Sequence, residues 1–169
     1  MSPAAHPAPR RLASFALASV PGNERIALAR VAEIVAALNL PPDRLNRLKT
    51  AVAEATLNAI EHGNGSRPDL TVDIEVFGSG AEVVVTIADR GGRDDTGWSE
   101  GRAEVPDLAR KLEGEQRPRG WGLFLIRHMV DAMEVTTEGG HRTVRLTIQT
   151  GSPARQGPVS DAHETGASQ

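Results

Sequence analysis

The stretch Leu45–Gly65, LNRLKTAVAEATLNAIEHGNG, decides the fold, because its residues divide between two faces of one helix. Leu48, Val52, Ala55 and Ala59 recur at helical spacing and make a stripe that requires burial. Glu54 and Asn58 stand one turn apart on another side, with Glu61 a further turn on. A carboxylate can accept a proton from an incoming hydroxyl. An amide oxygen suits magnesium, which keeps several waters and takes its other ligands from phosphates. Taken alone, a Glu and an Asn at this interval are ordinarily a solvated helix face. The rest of the chain has to supply the reason for reading them as a nucleotide site.

The totals set the bounds. At 169 residues with 39% apolar content, the chain suits one domain with a single core of ordinary size. A net charge of −3 and a pI near 6.0 exclude the general basic footprint of a protein that binds nucleic acid or anionic membrane directly. Aromatic residues at 3% leave almost no platforms for base stacking. The absence of cysteine excludes a disulfide framework and thiolate chemistry and fits a reducing compartment, so a cytoplasmic location is expected. No stretch is long and apolar enough to span a bilayer.

Residues 1–11, rich in Pro and Ala, read as a disordered leader. Arg10 and Arg11 before LASFALASV imitate a twin-arginine export signal, but Ser14 and Ser19 break the apolar run, and its alternation suits a first strand. A helix is expected over 23–40, with Leu28, Val31, Val35 and Leu38 on one stripe. The second helix starts at Pro41-Pro42 and closes at Gly63 in a C′ role. Strands over 70–77 and 82–88 follow, joined through Gly78-Ser79-Gly80, and Asp89 stands where the second one ends. Residues 90–119 are glycine-rich, charged and weakly periodic apart from a short helix around 105–112, the pattern of a lid or binding loop. From Gly120 the chain reads as a helix carrying Leu123, Ile126, Val130 and Met133 on one stripe. Strands over 134–138 and 142–149 close the fold through Gly139-Gly140. The expected organisation is therefore one domain over 12–149 between the leader and a disordered tail, 150–169.

Two further fragments carry chemistry. Gly120-Trp121-Gly122 opens a helix, where unpaired N–H groups, the dipole and missing Cβ atoms suit phosphate oxygens, and Arg119 directly before it supplies a positive charge. Asp89, followed by Gly91 and Gly92, can accept a hydrogen bond from an exocyclic amino group such as adenine N6. Each is weak alone, since turn aspartates and helix-entry glycines are common. The usual G-x-x-x-x-G-K-[ST] phosphate cradle is absent.

The order and spacing of the three fragments resemble the ATP-binding domain shared by gyrase, heat-shock chaperone, histidine kinase and MutL proteins, the Bergerat fold. Its N box is similar to Glu54-Ala-Thr-Leu-Asn58-Ala-Ile-Glu-His62-Gly63, its first glycine box to Asp89-Arg-Gly91, and its second to Gly120-Trp-Gly122-Leu123. The ending NAIEHG and the run GLFLIRHMVDAMEV are similar to the anti-sigma factor serine/threonine kinases. The resemblance spans about Leu12 to Ile148. It implies an α+β two-layer sandwich, with a mixed, mostly antiparallel sheet covered on one face by helices and an ATP lid over 90–119.

By that resemblance Glu54 is the general base on a partner's serine, Asn58 the Mg2+ ligand and Asp89 the adenine reader with Gly91 beside it. Gly120, Gly122 and Leu123 form the phosphate cradle, Arg119 is the cation at the γ-phosphate, and Thr143 borders the adenine pocket. The implied partners are a small anti-sigma factor antagonist, phosphorylated with ATP, and a sigma factor; the family's dimers make a homodimer an expectation. The sequence departs from the family where Gly91-Gly92 is followed by Arg93 and not by a further glycine. It departs again where a Gly-Thr-Thr-like run is replaced by Gly140-His141-Arg142-Thr143. Two rival readings stand beside this one: a non-catalytic regulator that only holds its partner, and the catalytic half of a sensor histidine kinase.

Overall fold

The computed structural model describes residues 8–91 and 121–151. Among them five strands form one sheet: β1 (Arg10–Ala18), β2 (Thr71–Gly78), β3 (Glu82–Asp89), β4 (Ala132–Glu138) and β5 (His141–Gln149). The sheet order is β1-β2-β3-β5-β4, so β5 is inserted between β3 and β4. Every neighbouring pair is antiparallel, which corrects the mixed sheet expected from the sequence. Three helices, α1 (Asn23–Val35), α2 (Pro42–Asn58) and α3 (Trp121–Met129), complete an α+β sandwich with α2 packed between the other two.

Alternation along the strands decides which face the helices cover. Val72, Ile74 and Val76 of β2, Val83, Val85 and Ile87 of β3, and Val144, Leu146 and Ile148 of β5 are all buried. They meet Ala27, Val31 and Val35 of α1, Leu48, Val52 and Ala55 of α2, and Ile126 of α3 in one continuous core. The stripe expected on α2 is thus the buried one.

Several boundaries differ from expectation for identifiable reasons. β1 begins at Arg10, because Arg10 and Arg11 pair with Gly78 and Phe77; the strand reaches into the stretch expected to be a leader. α1 tightens after Val35 into a turn of 3-10 helix over Ala36–Leu38 and ends at left-handed Asn39, φ 50°, while Leu38 still packs on the core. α3 stops at Met129, four residues short of expectation. Asp131 accepts hydrogen bonds from Arg44 Nη1 at 2.8 Å and Gln149 N at 2.7 Å, and its own N–H joins Thr147 O at 2.9 Å. The chain therefore enters β4 there, and Met133 faces Leu146 from a strand. Arg44, whose side chain is 6% exposed, ties the start of α2 to the end of the sheet through this pair. Gly139 and Gly140 both take positive φ, 57° and 80°, as a two-residue hairpin turn between right-twisted strands demands.

Candidate functional site

α2 does not end as a simple α-helix. After Asn58 the chain widens into a π-helical turn over Ala59–Gly63, closed by Asn64 N on Ala59 O at 2.8 Å. Such turns are uncommon and are found frequently at functional sites. Gly63 does not adopt the left-handed φ of a C′ glycine; that conformation falls to Gly65, φ 62°, and Ser66, φ 55°. Its glycine has another cause. A Cβ at position 63 would fall inside the carboxylate of Asp89, and one at Gly91 would overlap the carbonyl of Gly63. The end of α2 and the Asp89–Gly91 turn are thus pressed backbone to side chain and backbone to backbone.

The start of α3 approaches the same helix. A Cβ on Gly122 would stand 2.9 Å from Asn58 Nδ2 and 3.2 Å from Asn58 Oδ1, closer than side chains normally pack. Glu54 lies one turn earlier on α2, half-buried like Asn58. Three remote fragments of sequence therefore meet at one end of α2: Asn58 with Gly122, and Gly63 with Asp89 and Gly91. Leu123 packs against the core beside this junction, and His62 and Glu61 are exposed. Arg119, Gly120 and the lid beyond Gly91 lie outside the described residues.

Asp89 is not the isolated acceptor expected. It is the residue opposite Arg142 in the β3–β5 ladder. Nε and Nη2 of Arg142 donate to its Oδ2 at 3.1 and 2.9 Å, with side chains 11% and 5% exposed. Gly91 N donates to Oδ1 at 3.3 Å. Thr143, expected at the adenine pocket, pairs with Ala88 instead. Because successive strand residues point to opposite faces, Thr143 is turned away from Asp89, and Arg142 holds the position across from it. The alternation of 142–149 by itself sets Thr143 on the face away from Val144, Leu146 and Ile148; only the resemblance placed it at the adenine pocket.

Asn64 is a further residue of this junction that no motif singles out. Buried at the end of the π-turn, it donates from Nδ2 to Ser19 Oγ at 2.7 Å and to Thr71 O at 3.0 Å, and accepts from Arg90 N at 2.8 Å through Oδ1. One side chain thus joins the end of β1, the start of β2 and the turn that carries Asp89. An Asn between two turn glycines signals only a loop in sequence. Thr56, two residues after Glu54, buries its Oγ1 without a hydrogen-bond partner among the described residues.

The donor set suits a nucleotide with its metal. The cradle at Gly122 would be filled by any Cβ, a neutral amide oxygen adjoins it, and a buried carboxylate sits beyond at Gly63. A purine triphosphate presents the complements of these groups: an amino N–H, phosphate oxygens and the metal ion they carry.

Comparison with known proteins gives the family of the chain. Residues 17–148 match the histidine kinase-like ATPase domain, and the chain belongs to that family. It is 36% identical over 124 residues to the anti-sigma F factor of Clostridium beijerinckii, covering 72% of this chain and 81% of that protein. The anti-sigma F factor of Oceanobacillus iheyensis is 36% identical over 123 residues, covering 72% and 80%. The solved RsbU and RsbW domains of Rv1364c from Mycobacterium tuberculosis superpose with a TM-score of 0.57 at 19% identity, covering 85% of this chain and 34% of that one. At that identity the likeness speaks for the Bergerat-type fold alone.

Proposed function

We propose that this chain is an anti-sigma factor with serine/threonine protein kinase activity, which uses Mg-ATP to phosphorylate a small antagonist protein and so controls release of a sigma factor. The observation that carries this reading is the meeting of Asn58 with Gly122 and of Gly63 with Asp89 at one end of α2. The relatives named anti-sigma F factors support the choice within the ATPase family. The kinase domain takes in β1 from Arg10 and runs through β5 to Gln149.

Each residue has a task. Asp89 accepts from the exocyclic amino group of adenine, and the absent side chain of Gly63 leaves its carboxylate room. Asn58 offers its amide oxygen to magnesium, which when bound neutralises charge on the phosphates. Gly122, with Gly120 and Arg119, receives the phosphate oxygens at the helix start. Glu54 takes the serine hydroxyl proton as that oxygen bonds the γ-phosphorus and the bond to the bridging oxygen breaks, leaving ADP. β1 is an edge strand among the described residues, the position at which the expected homodimer would add a neighbouring strand.

The test is incubation with γ-labelled Mg-ATP and a candidate antagonist, followed by phosphoamino acid analysis. Label on serine or threonine is expected. Label on histidine favours the sensor-kinase reading, and ATP binding without transfer favours a regulator that only sequesters its partner.

A further inference from the structure

Along the helix-covered face, β3 presents Val83, Val85 and Ile87 and β5 presents Ile148, Leu146 and Val144, all buried and apolar. The row ends in a charged pair, Asp89 with Arg142. A buried ion pair is weak evidence for stability, because desolvation offsets most of its attraction. Its position beside the junction of α2, β3 and α3 calls for another account. Nε and Nη2 of Arg142 both fall on one oxygen of Asp89, Oδ2, at 3.1 and 2.9 Å, while Oδ1 takes the longer contact of 3.3 Å from Gly91 N. The forked guanidinium fixes the plane of the carboxylate and loads one of its oxygens. Oδ1 keeps acceptor capacity, since each carboxylate oxygen has about two lone-pair sites.

We propose that Arg142 is a positioning residue for base recognition: by holding Asp89 through Oδ2 it leaves Oδ1 as the acceptor that selects a purine with an exocyclic amino group over its 6-oxo analogue. This rests on the reading of Asp89 as the base reader and adds to it the residue that makes Asp89 selective. A carboxylate whose oxygens both accept N–H donors presents acceptors only. It therefore favours an amino N–H and repels a carbonyl oxygen. Loss of Arg142 lets the carboxylate rotate and blurs that distinction.

The experiment is calorimetric titration of the full chain, in the presence of magnesium, with ATP and with inosine triphosphate. Wild type, Arg142→Ala and Arg142→Lys are compared, with circular dichroism melting curves as the check on folding. A hydrogen bond to a charged group corresponds to about 10- to 100-fold in affinity, so the wild type should prefer ATP by that order. Arg142→Ala should bring the ratio of the two affinities near one and weaken ATP itself. Arg142→Lys, with the charge but not the fork, should give an intermediate ratio, and it carries the test if the Ala variant does not fold. An unchanged ratio in a folded variant overturns the inference, as does tighter ATP binding without Arg142, the result expected if the guanidinium occupied the base's seat. A wild type that binds neither triphosphate, or both alike, overturns the reading of Asp89 together with this one. A selective wild type matched by an equally selective Ala variant overturns the inference alone.

Discussion

Asp89 and Arg142 bind each other in a nearly dry position, so removing one takes a charged partner from the other. Asp89→Ala should therefore cost about 3–5 kcal/mol in urea unfolding, the usual result of breaking a buried ion pair by removing one partner. The double change Asp89→Ala with Arg142→Leu should recover most of that loss, and a double variant as unstable as the single one would contradict the pairing. From sequence alone, Asp89 is a solitary reader at a strand end and its loss leaves the fold intact; the register that brings Arg142 opposite is a long-range fact no local pattern carries. Glu54 behaves differently, since no ion pair depends on it among the described residues. Glu54→Gln should lower phosphoryl transfer by about 10²–10⁴-fold and leave ATP affinity nearly unchanged, as steady-state kinetics and calorimetry would report. Full turnover in that variant would remove Glu54 from the chemistry. Gly63 shows how residue identity can be legible while its reason is not: a glycine at a helix end suggests a left-handed cap, whereas the space here is needed for the Asp89 carboxylate.

At the scale of elements, periodicity located α2, both hairpins and the core stripes, because amphipathic spacing is local and strong. It does not show the π-turn over Ala59–Gly63, which delivers Asn64 to Ser19, Thr71 and Arg90 at once. Nor did it find the end of α3, where Leu123, Ile126, Val130 and Met133 keep a helical interval across a strand boundary set by Asp131. α2 carries one internal cost, the unpartnered hydroxyl of Thr56. Thr56→Val keeps the shape and removes the orphaned group. It should raise stability by about 1 kcal/mol in thermal or urea unfolding, and a loss of that size would show that the hydroxyl has a partner in the working protein. Gly122→Ala acts between elements, since its Cβ would press on Asn58. A several-fold loss of Mg-ATP affinity with little change in melting temperature is expected. Equal affinity would separate α3 from the site.

Across the whole molecule, insertion of β5 between β3 and β4 brings distant parts of the chain together. It sets Arg142 beside Asp89, and it lets Arg44 of α2 reach Asp131 and the carbonyl of Gln149 at 2.8 and 3.1 Å. The fold class was readable from the run of elements and the glycine boxes. The fully antiparallel order and the register that sets Arg142 across from Asp89 were not, because they follow from closure of the sheet and not from any one segment. The central claim is that segments from α2, β3 and α3 compose a single Mg-ATP site. Its most direct test is an amide NMR titration of the full chain with Mg-ATP. The account predicts the largest shifts together at Asn58, Gly63, Gly91 and Gly122, saturating at one affinity; shifts confined elsewhere, or none at all, would contradict it.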